Sequence, residues 1–168
     1  MYEIGQQVLY GAHGVCAVTA VEVMRFGKDK AKYYVLEPVE QPGTKFYVPT
    51  EKEAAVGKMR PLMTREELLE ILHDDEVRKT PFIREENQRK LLCRELIHSG
   101  DRRGLVGMIS ALYRHKQELA DTGRKFHQSD ESFLQEAEKL LNAEFSLVFG
   151  LEPREVRSFI LRELENTH

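Results

Sequence analysis

From Val8 to Val48 apolar residues recur with a period of two in short runs separated by turn-forming residues. Val15, Ala17, Thr19, Val21 and Val23 alternate with Cys16, Val18, Ala20, Glu22 and Met24, a strand pattern in which both faces are partly apolar. Gly27-Lys28-Asp29-Lys30 separates this run from Lys32-Tyr-Tyr-Val-Leu36 and reads as a hairpin turn; Pro42-Gly43 precedes the next run, Lys45-Phe-Tyr-Val48. Several short strands within about sixty residues predict a small barrel.

After Pro61 the period becomes helical. Thr64-Arg-Glu-Glu67 is a capping box ahead of Leu68, Leu69, Ile71 and Leu72. Thr80-Pro81 predicts an N-cap with proline at the first helical position, opening a helix that ends at Ser99-Gly100. Asp101 caps the next, with Leu105, Met108, Ile109 and Leu112 at spacings of three and four. Ser129 is the expected cap of a fourth, with Phe133, Leu134, Ala137, Leu140, Leu141 and Phe145 on one stripe before Gly150. Pro153 opens the last, with Val156, Phe159, Ile160 and Leu164 inward. The fold expected is α+β, with an amino-terminal Tudor/SH3-like β-barrel over 1–60 followed by an all-helical bundle of about five helices over 64–168. The boundary near Gly57 and Pro61 is too short for a flexible tether.

The chain has 168 residues, 41% hydrophobic and 32% charged, a composition that folds in water. No apolar run approaches the ~18 residues that span a bilayer, and the first residues lack the layout of a signal peptide, so a cytoplasmic location without membrane contact is expected. Two cysteines, Cys16 and Cys93, are too few for a disulfide framework. Net charge is −3, but it is unevenly spread: residues 1–63, 64–77, 78–125 and 126–168 carry +1, −5, +6 and −5. One basic stretch lies between two acidic ones.

The chemistry of an enzyme is hard to find. His13 and Cys16 are the one close His/Cys pair, whereas a structural zinc needs four ligands, and Cys93 and His98 do not supply the second pair. There is no G-x-S-x-G elbow, no phosphate loop and no dinucleotide fingerprint. The acidic run His73-Asp-Asp-Glu76 reads as a solvated turn. No catalytic residue, metal, cofactor or small-molecule substrate is expected. The basic stretch has two readings: Arg84, Arg89, Lys90, Arg114, Arg124 and Lys125 converge to neutralise phosphates, or they are ordinary exposed helix charges balanced by Glu85, Glu86 and Glu95.

The residues Gly5-Gln-Gln-Val-Leu-Tyr10, His13-Gly14-Val-Cys-Ala-Val18, Tyr33-Tyr-Val-Leu36 and Phe46-Tyr-Val-Pro49 occur in an order that resembles the RNA polymerase-interacting domain of the CarD/CdnL family of bacterial transcription regulators, a domain shared with the transcription-repair coupling factor. The resemblance continues through Ser99-Gly100-Asp101, Leu112-Tyr113-Arg114 and the helix from Glu136 to Phe145. It implies a barrel that binds the RNA polymerase β-subunit lobe and a helical domain that contacts promoter DNA at the upstream edge of the transcription bubble, together stabilising or modulating the open complex. An exposed strand edge would serve the first role, and strands 20–26 and 44–49 are expected to supply it. Met24, Arg25, Lys45 and Tyr47 are the candidate side chains; for Met24 and Tyr47 a place in the barrel core is the competing assignment.

One departure bears on the DNA. The family typically carries a tryptophan about a dozen residues before the Ser-Gly-Asp that wedges into the minor groove; this chain has no tryptophan, and Glu86 stands at about that position. Either the wedge is lost, or Phe82 and Ile83, beside Arg84, take the role. The competing assignment for Phe82 is a hydrophobic staple. If the wedge is lost, a protein-interaction adaptor that keeps polymerase or other protein binding is the alternative function.

Overall fold

A computed structural model describes residues 1–166. The chain divides between Leu62 and Met63 into two compact units, and the fold is α+β. Residues 167 and 168, at the end of the expected helical domain, lie outside the described residues.

The first unit is built from β1 (Gln7–Tyr10), β2 (Val15–Phe26), β3 (Asp29–Pro38), β4 (Phe46–Pro49), a short helix α1 (Glu53–Val56) and β5 (Met59–Pro61). The strands form one antiparallel sheet in the order β4-β3-β2-β1-β5. All five feed a single core of Val8, Cys16, Val18, Tyr34, Leu36, Val48 and Met59, so the sheet must curl round it. β2 pairs with β3 along nearly its whole length and with β1 only at its start. Its first residues pair with β1 through Val8↔Cys16, and its register against β3 shifts between Val18 and Ala20. Such a bulge bends a strand and increases its twist. Gly27 has φ 67°, the positive value that the first position of a two-residue hairpin demands, and this joins Phe26 to its partner Asp29.

The second unit contains α2 (Arg65–His73), α3 (Asp75–Arg78), α4 (Glu86–Ser99), α5 (Arg102–Asp121), α6 (Gln128–Phe149) and α7 (Val156–Glu165). The capping box at Thr64 is complete, and Asp101 accepts from the Gly104 amide as expected. Gly100 and Gly150 end α4 and α6 in the left-handed conformation. The core is continuous, with Phe145, Leu134, Leu141, Leu105, Ile109, Leu112, Leu68, Leu72 and Ile160 almost wholly buried.

Several boundaries differ from the sequence pattern. α4 begins at Glu86, not at Pro81, and residues 80–85 before it form no regular element because their polar groups are bonded elsewhere. Thr80 Oγ1 donates to the Val77 and Glu76 carbonyls instead of capping forward, and the N-cap is Glu85, which accepts from the Gln88 amide at 2.6 Å. α6 begins two residues early, after His127, leaving Ser129 inside the helix. The acidic run after His73 is not a mere turn: Asp74 accepts from the Glu76 and Val77 amides and caps α3. Among the described residues, Arg89 with Asp130 and Arg102 with Glu144 are buried ion pairs of this unit. Arg102 grips Glu144 through Nε and Nη2, at 3.1 and 2.9 Å, and the same carboxylate accepts from the Met63 amide at 3.0 Å.

Candidate functional site

Two surfaces hold the residues singled out by the sequence, one on each unit. The β2–β3 hairpin and β4 form the first. β1 and its lead-in cover the outer edge of β2 only as far as Val18, through Gly5 N to Val18 O and Val18 N to Gln6 O. Beyond that point the outer edge of β2 has no strand partner among the described residues. β4 is an edge strand as well. Thr50 N donates to Lys32 O, and the register continues as Tyr34↔Val48 and Leu36↔Phe46. Antiparallel alternation therefore turns the amide and carbonyl of Tyr47 away from β3, to the open side.

The same alternation separates the four candidates. Tyr47 is 40% exposed, and Met24 lies at a position whose parity places it on the same outer face; neither belongs to the core cluster. Phe26 joins this face, its ring 5.2 Å from that of Tyr33 and 6.5 Å from that of Tyr47. Arg25 is exposed on the opposite face, paired in register with Lys30, and Lys45 is exposed just before β4. Phe26 and Tyr33 were missing from the candidates. Counting by twos from Met24, and across the hairpin to Tyr33, would have found both.

Tyr10, His13 and Phe46 also cluster, with ring centroids 4.2 to 5.5 Å apart. At those distances the rings fill the space between themselves and leave none for a ligand. Cys16 is wholly buried in the core of this unit, and burial pushes its thiol up to about 11.

The second surface lies where the irregular segment 79–85, the start of α4, the far half of α5 and the start of α6 come together. Arg89 is the centre of it and corrects an expectation. Its Nε donates to Asp130 Oδ1 at 2.8 Å, its Nη1 donates to the Ile83 and Arg84 carbonyls, and the residue is 6% exposed. A guanidinium so engaged is not available to a phosphate. Phe82 is likewise committed, stacked on the His115 ring at 3.8 Å with the Arg89 guanidinium 4.7 Å from its own centroid. These contacts are those of a staple that ties the segment to α5 and α4, and the Phe82 side chain stays half-buried. Lys90 is paired with Glu86 at 3.0 Å.

The remaining candidates keep their exposure. Arg84, Arg114, Arg124 and Lys125 are exposed and have no carboxylate partner among the described residues; Arg114 also donates to the Thr80 carbonyl. Ile83 is half-buried. Lys79, which the sequence reading left out, is exposed in the same segment. Its position directly before Thr80-Pro81 was the available signal. Lys116 is held by Glu131 at 2.9 Å. Desolvation pushes the His115 imidazole below its ordinary range. Burial, then the nearby Asp130, push the Cys93 thiol up to about 11.

Among the described residues no group of three or more His, Cys, Asp or Glu is placed to hold a metal, and no helix is long and apolar enough to cross a membrane. Comparison with known proteins adds two findings. Over 95% of this chain and 99% of its own length, a Bacillus subtilis (strain 168) protein, YdeB, whose name marks it as a proposed transcription factor, is 24% identical. Residues 2–63, nearly all of the first unit, match the CarD-like/TRCF RID domain. The curled sheet with its open hairpin edge is thus the part of the chain that is similar to the CarD-like/TRCF RID domain, and the likeness to YdeB extends over both units.

Proposed function

We propose that this chain is a non-enzymatic, cytoplasmic transcription regulator that docks on the β-subunit lobe of RNA polymerase through its first unit and approaches upstream promoter DNA through its second, stabilising or modulating the open complex. The observation that carries the docking half is the open edge of β4, whose Tyr47 amide and carbonyl face outward beside an exposed aromatic face, within residues that match the RID domain. A strand laid on such an edge gains main-chain hydrogen bonds, and the side chains on the outer face add specificity. The DNA half rests on Lys79, Arg84, Arg114, Arg124 and Lys125, which have no carboxylate partner. Docking supplies a high local concentration, so weak intrinsic DNA affinity is enough.

A second reading, a protein-interaction adaptor without DNA contact, is favoured by the absence of tryptophan, the stacking of Phe82 on His115 and the exposed carboxylate of Glu86. Open-complex lifetime after heparin challenge, with bacterial RNA polymerase and a promoter fragment, tests the proposal. The regulator changes that lifetime and Tyr47→Ala abolishes the change; a lifetime unaffected by the wild-type chain contradicts it.

A further inference from the structure

Behind the segment 79–85 lies a groove of about 380 Å³, within the ~300–1,000 Å³ range of small-molecule sites. Its walls are mostly apolar, with Val77, Pro81, Ile83, Leu92, Met108 and Ala111 among the lining residues. Two features say what would enter it. The charged and polar groups along it are of both kinds: Arg103 offers donors, Arg89 is spent on Asp130 and on the Ile83 and Arg84 carbonyls, Glu76 and Asp101 offer acceptors, and the Thr80 hydroxyl sits between Val77 and Pro81. Arg103 is itself tied to Asp74 at 3.0 Å and Glu76 at 3.6 Å, so the groove has no surplus of positive charge to hold a bare anion. An uncharged ring with apolar faces and a mixed donor and acceptor edge fits that lining. The second feature is outside the groove. Lys79, Arg84 and Arg114 flank the segment that forms one wall; the first two adjoin the lining residues in sequence, and Arg114 bonds to the Thr80 carbonyl. None of the three has a carboxylate partner among the described residues. Cations beside an apolar recess suit a ring carried on a phosphate chain.

We propose that this groove accepts an unstacked nucleobase from DNA, with Lys79, Arg84 and Arg114 on the neighbouring phosphates. The inference rests on the reading that the second unit approaches DNA, and it deepens that reading: the molecule offers a recess beside Phe82, whose ring is stacked on His115. Taking a base out of a duplex costs unpairing and unstacking, so an already unpaired base is preferred.

The test is fluorescence anisotropy with the full chain at low salt, using a duplex and the same duplex with a short unpaired bubble. Bubble DNA binds about tenfold tighter than duplex, and Ala111→Phe, which fills the groove, removes that preference while leaving duplex affinity intact. In parallel, 2-aminopurine at the unpaired position brightens on binding wild-type protein, a readout that holds even if Ala111→Phe fails to fold. Equal affinity for the two DNAs, or a bubble preference with no change in 2-aminopurine emission, overturns the groove proposal and leaves DNA approach standing. Absence of binding to either DNA overturns both.

Discussion

Arg89 Nε donates to Asp130 Oδ1 at 2.8 Å with the two side chains 7% and 0% exposed, so a basic residue in the most basic stretch of the chain is a structural tie between α4 and α6. Its Nη1 also fixes the Ile83 and Arg84 carbonyls. A buried pair broken on one side leaves an uncompensated charge. Asp130→Ala is therefore expected to lower the unfolding free energy by about 3–5 kcal/mol, measured by urea denaturation. Replacing both partners together, as Arg89→Met with Asp130→Leu, should cost less than the single change. A loss of stability below about 1 kcal/mol in Asp130→Ala would show that the tie is not what holds the segment.

Phe82 distinguishes a staple from a wedge. Stacked on His115 and faced by Arg89, it should contribute to folding, and Phe82→Ala is expected to cost about 2 kcal/mol, less than the ~3–5 kcal/mol of a wholly buried phenylalanine. Unchanged thermal stability in Phe82→Ala would return it to the list of wedge candidates.

His115 makes stability depend on pH in a defined direction. Desolvation disfavours its charged form in the folded chain, so the unfolded chain binds the proton more tightly. The stabilising contribution is present above the ordinary histidine value of about 6.5 and is lost as the pH falls below it toward the lower folded value. Asp74, Glu86 and Glu131 are also held below their ordinary values, by Arg103, Lys90 and Lys116 respectively, but their contributions are lost only in the acid range of carboxylates. Denaturation midpoints between pH 7.5 and 5.5 should fall with pH in the wild type. His115→Phe, which preserves an aromatic partner for Phe82, should flatten part of that slope, and an identical slope in the variant would refute the assignment.

The exposed cations lend themselves to salt titration. Each phosphate contact releases condensed counterions, so Arg84→Ala and Lys79→Ala are each expected to weaken DNA binding and to reduce the slope of log affinity against log salt by about one. Lys90→Ala, whose ammonium is already paired with Glu86, should change the slope little. A slope unaltered by Arg84→Ala would remove this face from the DNA-contacting surface.

Much of this was legible in the chain because it depends on local pattern. The shift from period two to period three-and-four located the two kinds of structure, and the Thr64 and Asp101 caps were readable because a side chain and its target amide lie three residues apart. What could not be read depended on partners distant in sequence. Nothing near Arg89 announces Asp130, forty-one positions on, and that pair moved a supposed phosphate contact into the interior. The same bonds kept residues 80–85 out of the helix that Thr80-Pro81 suggested. Gly107 shows the point again: a Cβ there would lie 2.6 Å from Thr80 Oγ1, a close approach of two segments that periodicity alone does not reveal.

On the first unit, the side chain of Tyr47 is exposed and its backbone faces the open edge, so its removal separates docking from folding. Tyr47→Ala should leave the thermal midpoint nearly unchanged while weakening polymerase binding about tenfold or more, as expected for a central aromatic in an interface. Equal binding by variant and wild type would move the docking surface elsewhere, with the outer edge of β2 beyond Val18 as the next place to look.

Calorimetric titration of the full chain with the isolated β-subunit lobe of a bacterial RNA polymerase tests most directly the proposal that this chain docks on the polymerase. Saturable one-to-one binding that Tyr47→Ala weakens is the predicted result. No heat of binding with wild-type chain, at concentrations where the lobe is folded and soluble, would contradict the account.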